Sequence, residues 1–161
     1  MRFVGVHYAI TADQKDALLG QADDRAKMEY FCNEIEAGFD EEHGQICDNA
    51  WEAIHCCLTD SPKPDPTAGE APANLAILGG RQVLESEKDY IIRLVEADQV
   101  KAVADALKGF DSVWMDGMFA KHSPDDGQEV IDVTWDWFDK VRGFYARAAK
   151  NGRAVLFTAD Q

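Results

Sequence analysis

Two apolar stripes run at helical spacing through residues 128–150: Ile131, Trp135, Phe138 and Tyr145 form one, and Trp137, Val141, Phe144 and Ala148 the other. About half the circumference of such a helix is apolar, so it packs on two neighbours and forces the rest of the chain into layers around it. Arg142 falls inside the apolar arc between Trp135 and Tyr145. A guanidinium there needs a carboxylate partner, a packed stem with its head in water, or a cleft open to solvent. Asn151-Gly152 ends the helix, and residues 153–158 read as a terminal strand.

The stretch 47–59 is the second strongly patterned one. Cys47, Ala50, Ile54, Cys57 and Leu58 share one arc of a helical wheel, while Asp48, Glu52, His55 and Thr59 form a polar stripe. Trp51 borders the two, one turn before His55, and such a border lines a cleft. The helices carrying His55 and Arg142 are the most amphipathic segments, which predicts that they pack together. Trp51, His55, Thr59, Arg142 and Tyr145 are therefore the candidate cleft residues, a polar pocket with an aromatic wall. No residue is assigned as catalytic.

Elsewhere the chain alternates strands with helices. Residues 3–10 are β-prone, and Thr11 caps a helix over 12–19. A second helix over 23–37 carries Met28, Phe31, Cys32 and Ile35 on one face and stops at Gly38. His7 is expected on a solvent-facing or edge position of the first strand. Residues 60–73 hold four of the five prolines and form a loop, either a lid or a connector. After it, the apolar run 74–80 closes on Gly79 and Gly80, where the backbone turns sharply or approaches a neighbour at the cleft. Residues 90–95 form a strand, Glu96 or Asp98 starts a helix that repeats Val100, Val103, Ala104 and Leu107, and a short helix spans 111–120 with Trp114, Met118 and Phe119 inward.

Composition narrows the function. A chain of 161 residues with 46% hydrophobic content suits one domain with a real core. Its net charge of −14 argues against nucleic acid and anionic membranes as partners and for a basic protein as one. The N-terminal stretch is too short and too weakly apolar for a span or a secretory signal, which places the protein in the cytoplasm as an expectation. Cys32, Cys47, Cys56 and Cys57 lack the spacing of a disulfide framework or a zinc site, so buried, reduced thiols are expected. His43 and Cys47 alone do not complete a metal site, and neither metal nor cofactor is expected. Gly79-Gly80 lacks the further glycines and lysine of a phosphate loop.

The succession Trp51-x-x-Ile54-His55-x-x-Leu58-Thr59, then Ala76-Ile77-Leu78-Gly79-Gly80, then Asp98 to Leu107, then Phe144-Tyr145-x-x-Ala148-Ala149-x-x-Gly152-x-Ala154-Val155-Leu156 resembles the YfbM-like family, a bacterial domain of unknown function. The resemblance spans nearly the whole chain, 1–161, and no motif in it is diagnostic of chemistry. It implies a single cytosolic-type α+β domain: a mixed sheet packed by several helices, with a long C-terminal helix followed by a strand. Cys56-Cys57 and Asp60 depart from the bulkier apolar residues and the glycine common at those places in the family. Two function classes follow. One is an interaction module for a basic protein partner, such as a toxin to be neutralised. The other is a small-molecule-binding or hydrolase-like protein in which His55 acts as general base, oriented by Glu52 or Asp48. Oligomeric state is not legible in the sequence.

Overall fold

The structure is a computed structural model describing residues 3–161. It is an α+β domain with helices on both faces of one five-stranded sheet. In chain order the elements are β1 (Gly5–Ile10), α1 (Ala12–Leu19), α2 (Asp24–Tyr30), β2 (Gly44–Asp48), α3 (Trp51–Thr59), β3 (Arg81–Gln82), β4 (Tyr90–Val95), α4 (Ala97–Leu107), α5 (Ser112–His122), α6 (Gln128–Lys150) and β5 (Ala154–Asp160). The strands lie in the order β2-β1-β5-β4-β3. The sheet, expected to be mixed, is antiparallel at each of its described pairings.

Local chemistry sets several boundaries. Thr11 and Gln14 make a reciprocal capping box at α1, and Glu96 and Gln99 make another at α4. The second expected helix continues past α2 through a π-helical segment, Phe31–Ile35, and a 3₁₀ turn that ends at Gly38. Phe31 and Ile35 are buried in it, whereas Cys32, expected on the same inward face, is exposed.

Strand alternation divides the core in two. Ala9, Ile91, Val95, Val155, Phe157 and Ala159 face the layer built from α3, α4, α5 and α6. Tyr8, Ile10, Ile92, Leu94 and Leu156 face Leu18, Phe31 and Ile35 of the α1 and α2 layer. The long helix α6 matches its expected range and buries Phe138, Val141, Phe144, Tyr145 and Ala148 against α4 and β2. Trp114 and Met118 of α5 are only half-buried; Met115 and Phe119 are its inward pair.

Two expectations are corrected here. Cys47 is not on the helix of residues 47–59: it lies in the edge strand β2, paired with β1, and Asp48 follows at φ 48°. Five residues are too few to show strand alternation, and helical spacing fitted them by coincidence. His7 is not at an edge. Strand β1 lies between β2 and β5, and its His7 is fully buried within aromatic contact of Phe144, Tyr145 and Phe157.

Close backbone approach explains the glycine pair. A Cβ on Gly79 would overlap the Asn74 carbonyl, and one on Gly80 would stand 2.7 Å from the Leu94 carbonyl oxygen. Gly80→Ala is therefore expected to destabilise the domain by about 1–3 kcal/mol, because backbone on β4 has to move. Gly117→Ala in α5, with no heavy atom within 4 Å of the added carbon, is expected to stabilise it by up to about 1 kcal/mol. Urea midpoints of the two variants, which should shift in opposite directions, measure this.

Candidate functional site

A cavity of about 570 Å³ opens where the start of α3, the middle of β4, the end of β5 and the proline-rich loop meet. Its apolar wall is Phe3, Trp51, Leu78 and Ile91, with Pro64 and Pro66 added by the loop. The charged groups lining it are Glu52, Lys63, Glu87, Arg93 and Asp160.

Arg93, Glu87 and Trp51 are positioned by contacts that can be traced along the chain. Arg93 occupies an alternate strand position between Ile91 and Val95, so its stem starts on the face of the sheet covered by α3, α4, α5 and α6. Its head is largely shielded and would be unfavourable there alone. Glu87 relieves that by accepting from Nε at 2.8 Å and from a second guanidinium nitrogen, and the Gly80 carbonyl accepts from the third at 3.2 Å. The pair is bidentate and internally neutralised. Trp51 opens α3, its Nε1–H donating to the Phe3 carbonyl at 2.9 Å and its ring against Phe157. Gly5 makes room for it, since a Cβ there would lie 2.7 Å from the indole.

The loop that forms one wall is tied back to α3. His55 Nε2 donates to the Asp65 carbonyl at 2.8 Å, and the Asp65 carboxylate accepts from the backbone and hydroxyl of Thr67. Those Thr67 bonds hold the Asp65 carboxyl below its usual range. Burial lowers the His55 pKa, with the Asp65 carbonyl working against it. Thr59 donates back to the His55 carbonyl and packs on Gly69, which sits at φ 74°. At the end of α3, Asp60 takes φ 52° and accepts from Lys121 and His122 of α5.

Of the residues singled out by sequence, Trp51 lines the cavity, and Gly80 carries the carbonyl that holds Arg93. His55 and Thr59 secure the loop behind it. Tyr145 is fully buried, and its hydroxyl donates to the Ala76 carbonyl at 2.7 Å. Arg142 donates to Asp139 on its own helix and lies over the rings of Trp135 and Phe138, which is a packed stem with a paired head. Sequence reasoning missed Arg93, Glu87, Lys63 and Asp160. Arg93 did leave a signal: a cation at a core-facing parity in the strand 90–95 needs a buried partner.

The cavity presents carboxylates, a lysine and a paired arginine beside its apolar wall. Neither a histidine, a hydroxyl nor a thiol lines the cavity. The cysteines do not offer a thiolate in its place, since burial pushes Cys57 up to about 12 and raises Cys56 and Cys47. Among the described residues no group of three or more His, Cys, Asp or Glu is disposed to hold a metal ion, and no helix is long and apolar enough to cross a membrane.

A five-stranded antiparallel sheet with helices on both faces, closed by a long helix and a terminal strand, defines the class of domain. Residues 1–158 match the family described as "Domain of unknown function (DUF1877)", and the chain belongs to that family, as its resemblance to YfbM-like proteins implied. Among solved structures it is similar to the crystal structure of YfbM, a protein of unknown function from Escherichia coli. The TM-score is 0.67 at 14% identity, covering 97% of this chain and 99% of that one, and at that identity the likeness concerns the fold. No curated protein matches the sequence significantly.

Proposed function

We propose that this chain is a binding protein whose cavity takes a small organic molecule with a positively charged group on an apolar body. The observation that carries the reading is the charge balance of the cavity. Glu87 already neutralises Arg93, which leaves Glu52 and Asp160 against Lys63 above a floor of Trp51, Leu78 and Ile91. An ammonium or amidinium meets Glu52 and Asp160, neither of which is paired with a cation among the described residues, while its hydrocarbon part covers the floor, and a volume of about 570 Å³ suits a ligand of that kind.

The test is titration with arylalkyl amines and with the matching arylalkyl carboxylates, followed by the indole N–H resonance of Trp51. Amines are expected to shift it saturably, and Glu52→Gln combined with Asp160→Asn to weaken them about tenfold, the scale of one lost charge-assisted contact. Preference for the carboxylates, or indifference to the double substitution, would overturn the reading.

A second reading, a basic protein partner, is favoured by the net charge of −14. Steering by such a field acts on any cationic surface and is weakened by salt. The hydrolase-like reading with His55 as base has no comparable support: with Nε2–H donating to the Asp65 carbonyl the basic nitrogen is Nδ1, which is buried, and the ring does not line the cavity.

A further inference from the structure

The surface that would receive a basic partner is identifiable, and this inference rests on that second reading. A groove of about 430 Å³ runs between the first turn of α3 and the first turns of α6. Its floor is apolar: Ala50 and Ala53 on one side, Val130 and Val133 on the other. Val130 is 47% exposed and Val133 50%, an unusual position for valine on a helix that buries its opposite face so completely. Trp137, half-buried one turn further on, continues the stripe at i, i+3, i+7.

The rim supplies the second half of the argument. From Ser123 to Asp139 the chain has six carboxylates and neither lysine nor arginine. Asp139 is engaged by Arg142. Among the described residues none of the other five, Asp125, Asp126, Glu129, Asp132 and Asp136, lies within ion-pair distance of a cation. Apolar surface bordered along one side by carboxylates, Glu129 at the groove and Asp132 and Asp136 beside it on the same helix, is complementary to an amphipathic helix with apolar residues on one face and Lys or Arg along its edge. A second copy of this chain does not fit, because it would bring like charges together across the groove.

We propose that this groove docks a basic amphipathic helix of a partner protein, with Val130 and Val133 as the apolar contact and Glu129, Asp132 and Asp136 as the charged rim. Side chains spaced i, i+3, i+7 on the incoming helix match the spacing of the stripe they meet. Binding should be weak to moderate and strongly salt-dependent, since half of the recognition is solvent-exposed charge.

The experiment uses the full chain and a synthetic helix of about five turns with leucine on one face and lysine on the flanks, together with its glutamate counterpart. The lysine peptide is expected to bind and to shift the Val130, Val133 and Trp137 resonances, with affinity falling as salt is raised; the glutamate peptide should not bind. Val133→Asp is expected to weaken binding about tenfold or more. Glu129→Lys with Asp132→Lys, both on the solvated rim, should do the same without touching the apolar floor. Binding that persists unchanged in both variants would place a basic partner elsewhere and overturn the groove while leaving the second reading standing. Absence of binding to the lysine peptide would overturn both, and self-association of the chain through these valines would replace the partner with a second copy.

Discussion

Trp51→Ala is expected to lower the unfolding free energy by about 3–5 kcal/mol, the range for removing a large aromatic side chain from a packed site. Trp51 is 5% exposed, so nearly all of its surface is withdrawn from water. Three contacts would go with it. The indole N–H would leave the Phe3 carbonyl without its partner, the ring would leave Phe157, and the space above Gly5 that only an absent Cβ allows would become a void. Relaxation around that void is restricted because Gly5 and Phe157 belong to neighbouring paired strands. Urea denaturation of Trp51→Ala and Trp51→Phe separates the terms. Phenylalanine keeps most of the packing and loses the hydrogen bond, so it should recover more than half of the deficit. An alanine variant with the wild-type midpoint would mean that the ring contributes to the cavity wall and not to the core. Because Trp51 serves both, its share in ligand binding is read on the phenylalanine variant, with the backbone amide of Ile91 on the cavity wall replacing the indole N–H as the reporter.

What was legible in the chain was whatever its own local pattern determined. The long helix α6 has 23 residues and a wide apolar arc, enough turns for helical spacing to be unambiguous. The same holds for the capped starts of α1 and α4, and for β4, where β-branched residues sit between charged flanks. Strands β2 and β3 carried no such signal. One has five residues and the other two, and each exists because a longer strand offers it an edge. The α+β class followed from the long elements; the strand order did not, since it depends on which edges remain free once β1, β5 and β4 have paired.

The candidate site was less legible than the fold, for a related reason. Helical-wheel borders pointed to His55, Thr59, Arg142 and Tyr145, and each of these polar groups has a partner close by or within the core. A polar residue at the edge of an apolar face signals only that it needs a hydrogen bond, not that a ligand supplies it. The cavity is assembled from Phe3, Trp51, the loop, β4 and β5, which are far apart in sequence and come together through sheet pairing. Tyr145 and His7 show the same principle within the core. Both donate to the single carbonyl of Ala76, His7 at 2.7 Å and Tyr145 at 2.7 Å, and so tie the segment after the proline-rich loop to β1 and to α6 at once.

That shared carbonyl makes His7 the group whose titration should matter most for the fold. Burial pushes its pKa down from 6.5 to about 4, against the opposing pull of the Ala76 carbonyl. A carbonyl only accepts, so Nε2 carries the proton and Nδ1 is left bare inside the core, with no partner for a second proton among the described residues. The sign follows from comparing the two states. Below its unfolded pKa the denatured chain binds a proton at His7 that the folded chain refuses, so the stabilisation is complete above about pH 6.5 and is lost as pH falls toward 4. A drop of that size corresponds to about 3 kcal/mol across the window. The lowered pKa of His55 acts in the same direction. Carboxylates held low by hydrogen bonds, such as Asp24, Asp40 and Asp60, contribute stability that is present above their unfolded value of 3.8 and is lost only as pH falls below it, outside this window. Protonation of other acidic groups relieves the self-repulsion of a chain at −14 and opposes the loss. A difference measurement removes these shared contributions. Wild type and His7→Gln are compared by urea unfolding at several pH values from about 7 to about 4.5. The variant keeps an N–H donor for the Ala76 carbonyl but loses the ring packing on Phe144, Tyr145 and Phe157, so it should be less stable at neutral pH. Its deficit should shrink steadily as pH falls, because only the wild type has an imidazole to protonate on unfolding. A gap that stays constant across the window would mean that His7 does not titrate between the folded and unfolded states, and that its burial contributes packing alone.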